Sequence, residues 1–278
     1  MRSKLFVPGA RPDFFEKALH GDADALSFDL EDAVPDDGKA AARARLAEFL
    51  ASDAVRASAK TIIVRTNAYE TRHFLDDIAA LAAAHVDLVN LPKVEETAAV
   101  VGAADQIVKL FPRARLILNV ETPRGLTRAS EIAAASDRVA GLQIGFNDLF
   151  EPLRINRLDP GNVRAVLWQV RIAAAEADVF AYDGAWPWID DDDGFRNEAE
   201  MACSMGFIGK SCIHPRQVAI ANSVFDQSHE VADASRILDG ARAAASAGRG
   251  AFRLDGKMID APAIAQAKAV LGSRRKAK

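Results

Sequence analysis

The sequence predicts a (β/α)8 TIM barrel with a C-terminal helical extension, on the basis of three observations. Eight short apolar runs recur at a nearly regular interval between residues 4 and 215. The runs are rich in Leu and β-branched residues and mostly do not alternate with polar ones, as expected of strands buried on both faces. A helix-like segment follows each run. Eight alternating units favour a barrel over a doubly wound open sheet, which usually has fewer units and a Gly-rich first turn.

The predicted strands are the eight apolar runs themselves. In order they are Lys4–Gly9, Ala25–Asp32, Thr61–Asn67, Asp87–Lys93, Arg115–Thr122, Gly141–Asp148, Asp178–Gly184 and Gly206–Pro215. Each ends in a charged residue, a polar residue or a turn. Because the carboxyl ends of barrel strands meet at one face, we expect these strand-end side chains to converge at a single mouth.

The segments between the runs are predicted to be helices. They are Arg11–His20, Gly38–Leu50, His73–Ala84, Glu95–Leu110, Arg124–Ala135, Gly161–Glu176, Gly194–Met205 and Pro215–Phe225. The first has Pro12 and Asp13 in its opening turn, where a missing N–H is harmless and negative charge suits the helix dipole. The third places Phe74, Ile78 and Leu81 at helical spacing.

The end of the chain does not fit this repeat. We expect a catalytic barrel over residues 1–226 and an extension over 227–278 that packs on the barrel or on a neighbouring subunit. Within it, Ser228–Ala247 and Ala261–Leu271 are predicted helices, and Asp255–Lys257 is a predicted turn.

The composition excludes several classes of protein. The 278 residues carry a net charge of −4, with a pI of about 5.8, which argues against a nucleic-acid or anionic-membrane partner. The two cysteines, Cys203 and Cys212, lack the spacing of a zinc or redox motif and are predicted to be free thiols. No secretory signal and no apolar run of roughly 20 residues is recognisable. We therefore expect a soluble cytoplasmic protein.

A metal site is predicted where the fifth and sixth strands end. Glu121 closes the fifth predicted strand and Asp148 the sixth, so their carboxylates should converge. Two carboxylates that leave other coordination positions open suit Mg²⁺, which binds few protein oxygens and keeps waters or substrate oxygens. Such an ion can hold a 2-oxo or 3-hydroxy acid and stabilise a developing enolate. The alternative is that either carboxylate caps the following helix.

Charged residues at the second and third strand ends are expected to support this site. Arg65 could bind a carboxylate or an enolate oxygen through its guanidinium, or pair with Asp29 or Glu31. Asp29, Glu31 and Asp32 are too many to bind one ion, so some should fix metal-bound water. A solvated turn is the alternative for Glu31.

Two further features are expected to be structural. His214 precedes a proline and could act as a general base, but a hydrogen-bonded structural histidine is an equally good interpretation. The run Asp190–Asp193 is expected to be a solvated loop before a helix.

The chain resembles the HpcH/HpaI aldolase and citrate lyase β-subunit family, closest to its CitE-like acyl-CoA lyase branch. The segments that carry the resemblance occur in the family's order over almost the whole chain: LFVPGARPDFFEKAL, DLEDAVPDDGKAAAR, VRTN, LPKVE, ETPRGL, GKSCIHPRQ and GAFRLDGKMIDAP. The resemblance implies a Mg²⁺-dependent barrel, usually a homotrimer or a multiple of it such as a hexamer. Such a protein makes or breaks a C–C bond next to a thioester or carboxylate.

The resemblance also implies roles for individual residues. Glu121 and Asp148 match the family's metal ligands, and Arg65 matches its substrate- and enolate-binding arginine. Lys17 stands where related lyases direct a lysine toward the CoA portion. Asp260 matches an aspartate that closes over the active site of an adjacent subunit, where it would act as a general acid or base. The alternative for Asp260 is a helix N-cap.

The sequence departs from the family pattern at two places. Asn147 replaces a glutamate beside Asp148, and the bulky residues Phe150, Pro152 and Arg154 follow. The segment Ala185–Trp188 replaces a smaller turn. Both departures indicate a reshaped mouth.

These observations favour a Mg²⁺-dependent C–C lyase acting on a 3-hydroxyacyl-CoA such as malyl-CoA or citramalyl-CoA. One alternative is a CoA-independent aldolase that releases pyruvate or oxaloacetate from a 2-oxo-4-hydroxy acid. Another is a non-autonomous subunit of a citrate lyase-type complex.

Overall fold

Eight parallel strands close into a barrel in the computed structural model of the protein, which describes residues 1–226, 228–246 and 248–276. The strands pair in sequence order, and β1 closes the ring on β8. They are β1 Ser3–Pro8, β2 Ala25–Asp29, β3 Thr61–Arg65, β4 Leu88–Leu91, β5 Arg115–Val120, β6 Val139–Ile144, β7 Phe180–Ala185 and β8 Lys210–Cys212. The predicted TIM barrel is therefore confirmed.

Helices follow the strands around the barrel. They are α1 Phe15–Leu19, α2 Lys39–Leu50, α3 Asp53–Ala57, α4 Arg72–Ala80, α5 Thr97–Leu110, α6 Pro123–Thr127, α7 Ala129–Ala133, α8 Phe146–Phe150, α9 Pro160–Glu176, α10 Asp192–Ser204 and α11 Pro215–Val224. Short 3₁₀ turns at Pro12–Phe14 and Asp36–Gly38 precede α1 and α2. Among the described residues, none of the helices combines the length and apolar character that a membrane span requires.

The core has two layers because the strands are buried on both faces. A small layer inside the barrel contains Ala25, Ile63 and Ile117. The larger layer lies between the strands and the surrounding helices, where Phe28 and Phe74 are fully buried. This packing holds the strand ends in place as a rigid platform for polar side chains.

The sixth strand ends earlier than predicted. The sequence places Asp148 at the end of this strand, but β6 stops at Ile144 and Asp148 lies in the first turn of α8. Periodicity does not separate a short buried strand from a short buried helix, which explains the error. The break falls at Gly145, where a Cβ would stand 2.3 Å from Glu121 Oε2. The chain therefore turns where the side chain of Glu121 needs room.

A second compact unit comprises Asp226–Lys278. It contains α12 Ser228–Ser246, the antiparallel strands β9 Phe252–Leu254 and β10 Lys257–Ile259, and α13 Ala261–Lys276. The hairpin turns at Asp255 and Gly256, which have φ of 49° and 84°, as a type I′ turn requires. The packing of this unit on the barrel or on a neighbouring subunit stays a prediction.

Candidate active site

A cavity of about 330 Å³ opens at the carboxyl ends of the strands. Five of the residues predicted for the site line it: Asp29, Asp32, Arg65, Glu121 and Asp148. Asn119, Gln143, Gly145, Asn147 and Arg157 also face it. The barrel therefore brings together most of the charged side chains that the sequence places at strand ends.

Glu121 lies in this cavity immediately after β5 and is only 2% exposed. Its Oε1 accepts a hydrogen bond from the backbone N–H of Lys93 at 2.6 Å, and its Oε2 accepts one from Asn119 Nδ2 at 3.2 Å. Thr122, not Glu121, caps the following helix, through a 3.0 Å bond from Gly125 N to Oγ1. The capping alternative for Glu121 is therefore wrong.

The electrostatic environment of Glu121 is unusual for a buried carboxylate. Burial raises its pKa to about 7, the negative charges of Glu31 and Asp148 add to the rise, and Arg65 opposes it. Among the described residues, no Lys or Arg side chain comes within 4.0 Å of its oxygens. Within the described part of the chain, this carboxylate thus has neutral hydrogen-bond donors but no paired cation.

Arg65 ends β3 and is held rigidly by acidic neighbours. Its Nε and Nη2 donate to the two oxygens of Asp29 at 2.8 and 2.7 Å, a bidentate pair. Its Nη1 lies 3.1 Å from Glu31 Oε2 and 3.6 Å from Asp32 Oδ2. Burial alone would lower the pKa of Arg65, but Asp29 and Glu31 raise it above its ordinary value. The guanidinium is therefore fixed and charged at the cavity wall.

Lys93 is a site residue whose role sequence reasoning missed. It has φ of 52°, a left-handed conformation that costs energy for a residue with a side chain. That conformation accompanies the hydrogen bond from its N–H to Glu121, while its Nζ pairs with Glu31 at 2.7 Å and Asp32 at 3.3 Å. The only feature of the sequence that points to Lys93 is its position at the end of the fourth predicted strand. We call Asp29, Glu31, Asp32, Glu121, Asp148, Arg65 and Lys93 the mouth cluster.

A second group of charges was also missed. Lys210 of β8 is fully buried and bonds Asp183 of β7 and Glu198 of α10, both at 2.6 Å. Arg157, in the loop before α9, donates to the same Glu198 at 2.7 Å. Burial raises the pKa of Asp183, although Lys210 opposes the rise. We call Arg157, Asp183, Glu198 and Lys210 the wall network.

The floor of the cavity is polar as well. The side chain of Lys4, on β1, is fully buried and donates to Oε1 of Gln143, which faces the cavity. Burial lowers the pKa of Lys4 well below its ordinary value. Lys4 also lies 4.4 Å from the centre of the ring of Phe6, which lines the cavity together with Gln143.

Lys17 lies outside this cluster of charges, on the exposed face of α1. Its Nζ is 5.9 Å from the centre of the Phe14 ring, on which Arg11 also stacks at 4.2 Å. In the second unit, Asp260 precedes α13, and its Oδ1 accepts a 3.5 Å bond from Ala263 N. That contact is the geometry of a helix N-cap.

The two features expected to be structural have hydrogen-bonded roles. Nδ1 of His214 accepts a bond from Arg216 N and caps α11. Asp191 caps α10, while Asp190 and Asp192 pair with Arg216. These contacts engage three of the four aspartates of the run with protein partners.

A metal ion would have few protein ligands in this cavity. No group of three or more His, Cys, Asp or Glu side chains is arranged for metal binding within the described part of the chain. Mg²⁺ does not require one, because it is commonly held by one or two carboxylates together with water and substrate oxygens. Glu121 and Asp148 both line the cavity and are the pair of carboxylates that could hold such an ion.

Comparison with known proteins gives a consistent picture. Residues 2–215 match the family model of the HpcH/HpaI aldolase/citrate lyase family. Citrate lyase subunit beta of Escherichia coli is 35% identical over 282 residues, covering 97% of this chain and 92% of the relative. The L-malyl-CoA/beta-methylmalyl-CoA lyase of Cereibacter sphaeroides is 32% identical over 299 residues, covering 97% and 93%.

A solved structure extends the comparison to the fold. The protein CitE of Mycobacterium tuberculosis, in complex with magnesium, acetoacetate and coenzyme A, matches with a TM-score of 0.75 and 35% identity. The match covers 100% of both chains. The sequence matches and the structural match indicate the same family, and this chain belongs to the HpcH/HpaI aldolase/citrate lyase family.

Proposed function

We propose that this protein is a Mg²⁺-dependent carbon–carbon lyase that cleaves a 3-hydroxyacyl-CoA such as malyl-CoA or citramalyl-CoA. The observation that carries the proposal is the carboxylate of Glu121, which is buried near Asp148 and Arg65 and has no ion pair with any described residue. Burying an ionised carboxylate without a paired cation costs free energy, and binding of a cation offsets that cost. The malyl-CoA lyase among the relatives and the magnesium in the CitE complex support the same chemistry.

Glu121 and Asp148 would hold the Mg²⁺ ion. Both are hard oxygen donors, and Gly145 leaves the space that the side chain of Glu121 occupies. When bound, the ion supplies a Lewis acid for the oxygens of the acid portion of the substrate. The hydrogen bonds from Lys93 N and Asn119 Nδ2 keep the carboxylate of Glu121 oriented.

Arg65 would stabilise the negative charge that develops during cleavage. In the lyase direction the 3-hydroxyl group loses its proton, the C2–C3 bond breaks, and the electron pair passes to the thioester oxygen as an enolate. The enolate carbon then takes up a proton, so that an acyl-CoA and an oxo acid leave. Asp29 already holds the guanidinium of Arg65 in place before the enolate charge develops. Such preorganisation is the condition for strong transition-state stabilisation.

Asp260 of a neighbouring copy would move the protons. Among the described residues the side chain of Asp260 makes one hydrogen bond, the 3.5 Å contact to Ala263 N, so little binding energy is lost if the carboxylate moves. This role requires a homo-oligomer, and we propose a homotrimer or a hexamer built from trimers. We further infer that the protein acts in the cytoplasm.

Lys17 would contact the CoA portion of the substrate. Lys17 on α1 forms an aromatic and cationic surface with the exposed Phe14 and with Arg11 in the turn before the helix, where Arg11 also pairs with Asp13. Phosphates suit the cations and an aromatic ring suits a flat base. The coenzyme A in the CitE complex supports this placement.

The direct test is turnover of malyl-CoA and citramalyl-CoA by the isolated protein, with Mg²⁺ and with a chelator. Glu121→Ala should abolish the Mg²⁺-dependent cleavage. Glu200→Ala, an exposed carboxylate on α10, is the matched control and should keep wild-type turnover. Full activity in Glu121→Ala would overturn the proposal.

Two alternatives are separated by the same assay. Cleavage of free 2-oxo-4-hydroxy acids but not of CoA esters would identify a CoA-independent aldolase. Because one relative is a citrate lyase subunit, a third outcome is inactivity of the isolated chain, which would indicate a subunit that needs a larger complex.

A further inference from the structure

Arg157 fixes the orientation of the Asn147 amide. Its Nη1 donates to Asn147 Oδ1 at 2.7 Å. Because a guanidinium has donors and no acceptor, only the oxygen of the amide can face it. The Nδ2 group of Asn147 is therefore turned away from Arg157, with two hydrogens to donate.

Arg157 cannot easily move away from this position. Its Nη2 donates to Ala185 O at 2.6 Å and to Glu198 Oε1 at 2.7 Å. Its guanidinium also lies 4.6 Å from the centre of the Phe146 ring. The side chain is buried within the wall network, so the amide of Asn147 is anchored to the rigid part of the barrel.

The amide donor lies at the cavity. Asn147 is half-buried and lines it, one residue before Asp148. None of the hydrogen bonds found for the described residues uses Nδ2 of Asn147 as a donor, whereas its oxygen is occupied. The group is thus a prepared donor next to a carboxylate that we assign to the metal.

We propose that Asn147 is a specificity-determining residue whose Nδ2 donates to a carboxylate oxygen of the 2-oxo acid half of the substrate, and that Arg157 is the positioning residue that holds it there. This inference rests on the proposed function. A neutral N–H group can donate to an anionic oxygen that a carboxylate side chain at this position would repel. The cavity would therefore take the acid with its carboxylate between Asn147 and the metal.

Calorimetric titration of the full-length protein with pyruvate, in the presence of saturating Mg²⁺, tests this assignment. Asn147→Asp keeps the oxygen that accepts from Arg157 but removes the donor, and should weaken pyruvate binding at least about tenfold. Asn156→Asp adds the same charge to an exposed position of the same loop and should leave the affinity unchanged. Asn147→Ala provides a second variant without the added charge and should weaken pyruvate binding similarly.

A separate Mg²⁺ titration distinguishes this role from a general structural one. Asn147→Asp should bind Mg²⁺ at least as tightly as the wild type, because the added charge is negative. Arg157→Lys keeps the positive charge next to Glu198 but loses the planar guanidinium that donates to several acceptors at once. This variant should weaken pyruvate binding more than Mg²⁺ binding.

Three results would overturn the inference. Wild-type pyruvate affinity in both Asn147 variants would show that the amide does not touch the acid, while leaving the proposed function intact. Equal losses of Mg²⁺ and pyruvate affinity in Arg157→Lys would indicate a structural role only. Absence of Mg²⁺ and pyruvate binding in the wild type would overturn the proposed function, and this inference with it.

Discussion

The mouth cluster and the wall network are neighbouring groups of charge with opposite balance. The wall network has two cations, Arg157 and Lys210, for the two carboxylates of Asp183 and Glu198, and its members are almost completely buried. The mouth cluster has five carboxylates and only two cations, Arg65 and Lys93. A balanced buried network holds a structure together, whereas a surplus of carboxylate beside a cavity leaves room for a cation from solution.

The largest effect is expected from breaking the balance of the wall network. Lys210→Met leaves Asp183 without its ion pair and Glu198 with one cation fewer, and should lower the free energy of unfolding by about 3–5 kcal/mol. Urea denaturation measures this. Adding Asp183→Asn to Lys210→Met removes the buried carboxylate that has lost its ion pair and should recover part of the loss.

The matched comparison is a charge removed from the mouth cluster. Glu121→Gln takes away a carboxylate that has no paired cation among the residues the structure describes, so the metal-free protein should be as stable as the wild type or more so at pH 8. Asn119 can accommodate the change, because its Oδ1 has no hydrogen-bond partner among the described residues and its amide can turn over. A loss as large as that of Lys210→Met would show that the two regions do not differ.

The next largest effect is expected at Arg65. Arg65→Lys keeps the charge but loses the bidentate contact with Asp29. Turnover of the CoA ester should fall about 10²–10³-fold, as when one prepared donor to a developing oxyanion is removed. Mg²⁺ affinity, measured by calorimetry, should change little. Parallel losses of turnover and Mg²⁺ affinity would contradict a role for Arg65 at the substrate.

A smaller effect is expected from pH. The pKa of Glu121 is raised to about 7, and Mg²⁺ must displace the proton. Mg²⁺ affinity should therefore rise up to about tenfold per pH unit below pH 7 and level off above it. The stability of the metal-free protein should depend on pH with the opposite sign. The folded protein holds a proton that the unfolded chain releases near the ordinary value of 4.5, so metal-free stability falls as pH rises from about 4.5 to 7.

The control for this prediction is Glu121→Gln, in which the component of stability lost between these pH values should disappear. A Mg²⁺ affinity of the wild type that does not vary between pH 5.5 and 8 would contradict the assignment of the ion to Glu121.

The smallest effect is expected from backbone strain at Lys93. Both Lys93→Ala and Lys93→Gly remove the half-exposed ammonium, but only glycine adopts φ of 52° without cost. Lys93→Gly should therefore be more stable than Lys93→Ala by about 1 kcal/mol in urea denaturation. Equal stability would show that the left-handed turn at the mouth stores no strain.

The difference between the two regions also explains what could be predicted from the sequence. The strands and the residues Arg65 and Glu121 were predictable, because each follows an apolar run and the barrel gathers the ends of such runs. The position of Asp148 on α8 was not, since a buried run of a few residues has no period that separates strand from helix.

The wall network was not predictable at all. Lys210 bonds Asp183 of β7 and Glu198 of α10, which lie 27 and 12 residues away in sequence. Nothing local marks a lysine as fully buried, because its partners come from elements that only the fold brings together. The orientation of the Asn147 amide has the same origin in Arg157, ten residues further on.

Titration of the metal-free protein with Mg²⁺ at pH 8, by isothermal calorimetry, tests most directly whether the acidic surplus of the mouth cluster is a cation site. We expect the wild type to bind one Mg²⁺ ion per chain. Glu121→Gln should weaken this binding about a hundredfold or more, and Glu200→Ala should not change it. The absence of Mg²⁺ binding by the wild type, or unaltered binding by Glu121→Gln, would contradict the account.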